Sequence, residues 1–239
     1  QYDSSRNWHD LLSNGVASYN KNSPRAILST LWESIPESDV RKGLWIKNPW
    51  AKGVTVYTPK SGVKAMYMSN KFLIDNNSTS KVEKDVPYMR LPEVMLTLAE
   101  AYARSDKEGD AQKLVGELGN FRDPSYPKVS PNTGDALIEE ILWQRRVELW
   151  GENGDRWLPL KRLNLPCDHG KLPEAGYNQG PYTSKGEAKN LDPEASNFNM
   201  YGAGLSEEAR KIPANSNKWQ WLIPNQEISA NPLCKQNPL

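Results

Sequence analysis

Four glutamates are the residues of this chain best suited to acid–base chemistry: Glu93, Glu100, Glu148 and Glu152. Glycoside hydrolysis needs two carboxyl groups at a fixed separation, and one of them must keep its proton at neutral pH. Four arginines accompany these glutamates in the sequence: Arg90, Arg145, Arg146 and Arg156. Because a neighbouring guanidinium lowers the pKa of a carboxyl group, the pattern favours ion pairs that tie helices together. We therefore predict a protein that is not an enzyme, with a carboxylate-dependent glycoside hydrolase as the less favoured alternative.

A polar segment that contains several large aromatic residues is the second candidate for function. The chain has nine tryptophans and ten tyrosines against three phenylalanines, and Trp and Tyr combine apolar packing with a polar edge. Trp45, Trp50 and Tyr57 lie among lysine, asparagine and glycine, in a stretch without helical periodicity. Binding residues are common on loops held by a rigid scaffold, so we predict that this segment faces a ligand. The alternative is that the rings anchor a long loop to the helices.

Composition and motif spacing argue against several classes of protein. Thirty basic and 29 acidic residues leave a formal net charge of +1, which gives no indication of nucleic-acid binding or of attraction to a membrane surface. Cys167 and Cys234 lack the spacing of a zinc site or a redox motif, and His9 and His169 have no metal-binding partners nearby. We predict no metal and no cofactor. The two cysteines are compatible with one disulfide or with two free thiols.

Helices in the middle of the chain must position the charged residues. Residues 86–122 carry two apolar stripes at helical spacing, separated by Gly109-Asp110. They predict an inner face of Leu91, Val94, Met95, Leu98 and Tyr102 on the first helix, and of Ala111, Leu114, Val115, Leu118 and Phe121 on the second. Residues 135–163 predict a third helix, with Asp135 as N-cap and an end near Gly151, followed by a helical turn that finishes at Arg162. The predicted fold is mainly α, with a tetratricopeptide-like helical pair and long irregular loops.

Four blocks of the sequence share their residues and spacing with a known family. They are Asp39-Val40-Arg41-Lys42; the run of Tyr88, Arg90, Glu93, Leu96, Ala99, Glu100 and Ala101; Gln144-Arg145-Arg146-Val147-Glu148-Leu149 with Gly151-Glu152 and Arg156-Trp157; and the closing Ile223-Pro224, Glu227-Ile228 and Asn231-Pro232. With these blocks the chain resembles the RagB/SusD family of surface nutrient-binding lipoproteins of Bacteroidetes. The family usually has Glu where this chain has Gln144, and Asp where it has Pro159. The frame of the motifs is otherwise kept from Asp39 to the C-terminus.

The resemblance implies a non-catalytic role in nutrient uptake. A protein of this family binds an oligosaccharide at the extracellular face of the outer membrane and delivers it to a SusC-like TonB-dependent transporter, which it covers as a lid. Its membrane attachment is a lipid anchor, and this chain begins at Gln1 without the signal or the lipidated cysteine. Some relatives bind peptides, so a peptide ligand stays an alternative. A helical-repeat adaptor that binds proteins through its concave face is another.

The resemblance also suggests a division of the chain and a set of ligand-binding residues. Residues 1–239 are expected to be the C-terminal region of a SusD-like protein, without the family's N-terminal repeat region. Residues 1–86 are loop-rich and ligand-facing, residues 87–163 form the helical core, and residues 164–239 are irregular with a closing tail. The predicted ligand-binding residues are Trp45, Trp50, Tyr57, Asn48 and Arg41. We expect the three aromatic rings to stack on sugar rings and the two polar side chains to hydrogen-bond the sugar hydroxyls.

Overall fold

The structure is a computed structural model, and it describes residues 26–49, 51–54, 67–71, 88–152, 156–168, 211–220, 222–231 and 233–237. The α-helices in these ranges are α1 (Ser29–Glu33), α2 (Leu91–Ala103), α3 (Glu108–Arg122), α4 (Gly134–Glu148), α5 (Trp157–Arg162) and α6 (Asn225–Ala230). Short 3-10 helices span Val40–Leu44 and Asn217–Trp219. The strands are β1 (Trp45–Ile46), β2 (Met68–Ser69), β3 (Cys167–Asp168) and β4 (Lys211–Ile212), and they pair antiparallel as β1 with β2 and β3 with β4. The mainly α-helical fold class is confirmed.

Helices α2, α3 and α4 enclose a shared apolar cluster. Its buried members are Leu96, Ala99, Ala111, Val115, Leu118, Leu137 and Ile141. Only residues 104–107 connect α2 to α3, so the two helices pack against each other as a helical hairpin. Pro92 lies in the first turn of α2, where its missing N–H removes no bond within the helix. The predicted pair of helices is confirmed.

The face that α2 turns to the core is only partly the one that we predicted. Met95 and Tyr102 pack against the apolar cluster as expected. Leu96 and Ala99 are buried, whereas Leu91 is 70% exposed and Val94 and Leu98 also face outward. On α3 the prediction holds for Ala111, Val115 and Leu118, but Phe121 is 78% exposed. α2 carries apolar residues on two sides, and the positions of α3 and α4 decide which side is buried. The outward side remains as an exposed apolar face.

The segment after α3 lies directly against that helix at two glycines. A Cβ atom on Gly116 would overlap the backbone carbonyl of Lys128, and a Cβ atom on Gly119 would overlap the ring of Tyr126. Only hydrogen fits at these positions, so the glycines allow the chain to turn back tightly before α4 begins.

Helix α4 follows the predicted course and differs at its start. Thr133, with extended backbone angles, precedes the first helical residue, and Asp135 lies inside the first turn instead of capping it. Asp135 remains favourable there because an acidic side chain complements the positive end of the helix dipole. The helix ends at Glu148, and Gly151 has a φ of +75°, which a residue with a side chain rarely adopts. Glu148 is therefore the last residue of α4, beside the turn that leads to α5.

A second apolar cluster joins the N-terminal part of the described chain to α4. Its buried members are Ile27, Leu31, Ile35, Trp45 and Val147. The β1–β2 pair sets Trp45 opposite Ser69 and Ile46 opposite Met68, and the Tyr67 N–H donates to the Lys47 carbonyl oxygen at 3.0 Å. The segment that starts at β1 is therefore fastened to the helical core at its beginning.

A third apolar cluster lies near α5. It consists of Leu160, Cys167 and Trp219, with the rings of Trp157 and Trp219 4.6 Å apart between centroids. Cys167 is buried and Cys234 is half-buried. Of the two possibilities for the cysteines, the structure has the one without a disulfide between them.

Candidate functional site

Glu148 lies at the centre of a group of buried charges that we call the Glu148 cluster. Arg122 donates from Nε and Nη2 to the two carboxylate oxygens at 3.0 and 2.8 Å. Arg90 donates from Nη1 to Oε1 at 3.1 Å, and Arg41 from Nη1 to Oε2 at 3.4 Å. The glutamate side chain is only 3% exposed. Three arginines from three separate parts of the chain thus converge on one carboxylate at the end of α4.

Glu152 extends the cluster one turn further along the chain. Arg90 donates to both of its carboxylate oxygens, each at 2.8 Å. Lys71 reaches the same carboxylate at 2.5 Å and also donates to the carbonyl oxygens of Glu148 and Trp150. These contacts bind residues 71, 90 and 148–152 into one network, and the bidentate pairs fix its geometry.

Asp39 shares Arg41 with Glu148. Its carboxylate accepts from the Arg41 guanidinium at 2.6 Å and from the Arg41 backbone N–H at 2.9 Å, so it also caps the short 3-10 helix. Both residues are buried. The guanidinium of Arg41 lies 5.8 Å from the centre of the Trp143 ring, a cation–π distance. The guanidinium of Arg41 is therefore buried and bound to Asp39 and Glu148. It presents no exposed N–H group to a ligand, contrary to the role that we predicted for it.

The electrostatics of the two central glutamates oppose a role as general acid. Burial alone would raise the pKa of Glu148, but Arg122, Arg41 and Arg90 outweigh it, and the pKa lies below its usual value. Glu100 behaves in the same way, since Arg162 and Arg104 outweigh the effect of burial and lower its pKa. A carboxyl that gives up its proton this readily cannot protonate a leaving group at neutral pH. Of the arginines predicted to form the lattice, Arg90 pairs with Glu148 and Glu152, and Arg145 lies near Glu93. The other arginines on Glu100 and Glu148 were not predicted, and they are Arg41, Arg104, Arg122 and Arg162.

The predicted aromatic ligand site lies partly in the core. Trp45 is 3% exposed and its ring packs edge-on against Trp150, with centroids 5.7 Å apart and planes at 86°. The expectation that Trp45 is an exposed ring was wrong, because pairing of β1 with β2 turns it toward the second cluster. Asn48 is half-buried beside it. Trp50 and Tyr57 lie outside the residues that the structure describes, and their assignment to a ligand site stays a prediction.

A charged cleft lies between α2, α4 and α5, and we call it the α2–α5 cleft. Its volume is about 830 Å³, and its lining consists of Glu93, Thr97, Glu100, Ala101, Arg104, Arg145, Leu158, Pro159, Lys161 and Arg162. Arg145 donates to the Thr97 hydroxyl at 3.1 Å and lies 4.0 Å from the Glu93 carboxylate. The cleft is open, contains several charged side chains and has a size that accommodates a small organic ligand.

A second groove, between α2 and α3, is more apolar. It has a volume of about 610 Å³ and includes Leu91, Pro92, Met95, Leu118 and Phe121 in its lining. It belongs to the outward face of α2, next to Tyr88, which is 86% exposed. Solvent-exposed aromatic and aliphatic side chains therefore collect at the start of α2.

Sequence reasoning found the glutamates of the network but missed several of their partners. Arg122 and Lys71 were not assigned to it, and Arg41 was assigned to the ligand. Their partners are 26, 77 and 107 positions away in the sequence, and no local spacing links residues that far apart. The one local signal is Asp39-x-Arg41, a spacing that permits a cap and an ion pair within one turn.

Two further properties of the described part of the chain bear on the class of protein. No group of three or more His, Cys, Asp or Glu side chains in it is placed to hold a metal ion. None of its helices combines the length and the apolar character needed to cross a membrane.

Two crystal structures share this fold. One is a protein described as sugar-binding from Bacteroides vulgatus, with 20% sequence identity and a TM-score of 0.54 over 87% of this chain. The other is a SusD superfamily protein from Bacteroides thetaiotaomicron, with 21% identity and a TM-score of 0.52 over 88% of this chain. The chain spans only 37% and 39% of the length of these two proteins. No curated protein has a significantly matching sequence.

The chain thus has the fold of these two proteins. The sequence pattern of the SusD family matches residues 14–239, and the chain belongs to that family.

Proposed function

We propose that this chain is part of a non-catalytic binding protein for oligosaccharides at the cell surface. The observation that carries the proposal is the match to the SusD family over residues 14–239. The sugar-binding description of the Bacteroides vulgatus protein, which has the same fold, supports it. The Glu148 cluster adds a physical argument, since the carboxylates most suited to glycoside hydrolysis are held ionised by arginines.

The proposal includes a location and a partner. Members of the family act at the extracellular face of the outer membrane, and the bound glycan passes to a SusC-like TonB-dependent transporter. Attachment by a lipid anchor agrees with the lack of a membrane-spanning helix in the described residues. We also propose that residues 1–239 form the C-terminal region of the working protein, because the chain corresponds to less than half of each crystal structure that shares its fold.

Within the predicted aromatic segment, the proposal now rests on Trp50 and Tyr57. Trp45 has no ring face open to a ligand, since it packs into the second cluster. Its burial still helps the site, because it fixes the start of the segment that carries the other two rings. The burial of Trp45 agrees with the alternative that the rings anchor the loop to the helices. Trp45 therefore serves as the control residue for substitutions of Trp50 and Tyr57.

Isothermal titration of the protein against a panel of oligosaccharides and peptides tests the proposal. We expect at least one oligosaccharide to bind and remain intact. Trp50→Ala and Tyr57→Ala should each weaken that binding by about 1 kcal/mol or more, the usual cost of removing an aromatic contact. Trp45→Ala should lower the melting temperature instead, because it removes core packing.

Three outcomes would count against the proposal. Binding of peptides without any oligosaccharide would favour the peptide-binding members of the family. Release of reducing sugar would make the protein a hydrolase. Wild-type affinity in both Trp50→Ala and Tyr57→Ala, together with early melting, would assign those rings to the loop anchor as well.

A further inference from the structure

Glu100 holds two guanidinium groups at the edge of the α2–α5 cleft. Arg104 donates from Nε to its carboxylate at 2.9 Å, and Arg162 donates from Nη2 to both oxygens at 2.9 and 2.8 Å. Glu100 is buried, so its position is fixed by the helix that carries it. One buried carboxylate in the lining of the cleft therefore orients two arginines, Arg104 just after α2 and Arg162 at the end of α5.

The same two arginines keep N–H donors that no other described residue accepts. Arg104 binds Glu100 only through Nε, and Arg162 only through Nη2, within the described part of the chain. Their side chains are 40% and 55% exposed, and both line the cleft. A guanidinium group can donate two parallel hydrogen bonds from one plane, which matches the spacing of the oxygens in a carboxylate or a sulfate. The remaining N–H groups of Arg104 and Arg162 can therefore bind such an anion.

The charge of the lining also favours an anion. Four cationic side chains, Arg104, Arg145, Lys161 and Arg162, face two anionic ones, Glu93 and Glu100. This local excess of positive charge contrasts with the formal net charge of the whole protein, which is only +1. Lys161 is exposed and makes no ion pair with another described residue. A cleft with a surplus of one sign attracts ligands of the other sign.

The walls of the cleft extend beyond what a small inorganic anion would occupy. Leu158, Pro159 and Ala101 supply apolar surface beside the arginines. A volume of about 830 Å³ is that of a site for a ligand with several rings, whereas a single phosphate or sulfate would fill a small part of it. Sugar rings present C–H faces that pack on apolar walls, and an acidic sugar adds the negative charge.

We propose that the α2–α5 cleft binds the acidic group of a negatively charged oligosaccharide, a carboxylate or a sulfate, between Arg104, Lys161 and Arg162. This inference rests on the proposed function, because it names the class of glycan that the protein takes. The residues of this binding surface are different from those of the aromatic segment at residues 45–57. The orientation of the two arginines by Glu100 supplies the specificity for an oxyanion.

The test compares a galacturonate tetramer with its fully methyl-esterified form, by isothermal titration against the 239-residue protein. Esterification removes the negative charge and keeps the sugar chain. We expect the acid to bind at least about tenfold more tightly at low salt, and we expect this difference to shrink as salt is added. The same pair of measurements with a sulfated oligosaccharide and its desulfated form distinguishes a sulfate from a carboxylate as the preferred group.

Two variants locate the site without endangering the fold. Lys161→Gln removes an exposed cation, and Arg162→Lys keeps the charge next to Glu100 but removes the guanidinium group. Each should weaken binding of the acidic oligosaccharide about fivefold or more and leave binding of the neutral form unchanged. Lys113→Gln is the control, because Lys113 is an exposed cation on α3 outside the cleft.

The outcomes separate the two proposals. If neutral glycans bind and the acidic and neutral forms bind equally, or if neither variant has an effect, the inference fails and the proposed function stands. If inorganic sulfate binds but no acidic oligosaccharide does, the cleft takes a small ion only and the inference fails. If no oligosaccharide of any charge binds, the proposed function and the inference fail together.

Discussion

Arg122 and Glu148 end consecutive helices and are joined by a bidentate ion pair. Arg122 is the last residue of α3 and Glu148 the last residue of α4, and two N–H groups of the arginine meet the two carboxylate oxygens at 3.0 and 2.8 Å. The C-terminal ends of both helices are thereby fixed to each other. Arg41 and Arg90 join the same carboxylate, so the pair is the point at which the N-terminal segment and α2 are also attached.

Removing the charge of Glu148 should destabilise the protein strongly. Glu148→Gln removes the negative charge that Arg41, Arg90 and Arg122 share. Because loss of one partner of a buried ion pair costs about 3–5 kcal/mol, we expect a loss of stability of that size. Chemical denaturation followed by circular dichroism measures the change. Glu139→Gln, at an exposed position of the same helix, is the control and should change the free energy of unfolding by less than about 0.5 kcal/mol. Equal stability of the two variants would mean that the cluster contributes nothing.

Acid should remove the contribution of Glu148 to stability. Its pKa is lowered in the folded state, because the arginines outweigh the effect of burial. A group with a depressed folded pKa stabilises the fold above its unfolded pKa, about 4.3 for Glu, and this stabilisation is lost as the pH falls through the folded value. The difference in melting temperature between wild type and Glu148→Gln should be largest at pH 6–7 and should decrease steadily below about pH 4. A difference that stays constant down to pH 2 would contradict the lowered pKa.

Buried and exposed arginines should differ in their effect on stability. Arg122→Ala removes two hydrogen bonds to a buried carboxylate and should cost about 2–3 kcal/mol. Arg104→Ala removes a single bond from the residue just after α2 to Glu100 on that helix, with the arginine 40% exposed, and should cost about 0.5 kcal/mol. Melting curves of the two variants under the same conditions provide the comparison. The reverse order would show that exposure does not control the strength of these pairs.

Glycine substitutions in α3 should have opposite signs. Gly116→Ala forces a methyl group into the backbone of Lys128 and should destabilise the protein by about 1–3 kcal/mol. Gly109→Ala meets open space in the first turn of the same helix and should stabilise it by about 0.5–1 kcal/mol, since alanine loses less backbone entropy. Urea denaturation of both proteins tests the pair. If Gly116→Ala proves neutral, the segment around Lys128 is free to move away from α3.

The absence of glycosidase activity is the prediction that follows from the lowered pKa values. Purified protein should release no reducing sugar from any oligosaccharide that it binds, because Glu100 and Glu148 stay ionised at neutral pH. Incubation with the bound oligosaccharide and chromatography of the products measures this. Turnover that disappears in Glu100→Gln while the protein stays folded would identify that carboxyl as catalytic.

The helices could be predicted from sequence because their apolar spacing is regular, but the buried side of α2 was predicted only in part, with Met95 and Tyr102 on the core as expected. Leu91, Val94 and Leu98 form one stripe and Leu96 and Ala99 lie on another, and the choice between them depends on where α3 and α4 lie. Periodicity identifies the helix and leaves its rotation about its axis open when both sides are apolar.

The candidate site was predicted less well, for two physical reasons. The types of charge in the Glu148 cluster were recognisable, but pairs such as Arg41 with Glu148 depend on the folded arrangement and not on spacing. Trp45 was misjudged because its polar neighbours suggested an exposed loop. Pairing of two residues in each strand is enough to turn the Trp45 ring inward. A strand of two residues is too short to show the alternation of apolar and polar residues by which a strand is predicted from sequence.

The wide sequence separation within the Glu148 cluster has a consequence for biosynthesis. Arg41, Arg90 and Arg122 leave the ribosome 107, 58 and 26 positions before the glutamate that neutralises them. At translation rates of about 5–20 residues per second, the last of these intervals takes on the order of one to five seconds. During that time the α2–α3 hairpin exists without its counter-charge and without α4 over its apolar cluster. The Glu148 cluster can therefore be completed only after the end of α4 has left the ribosome.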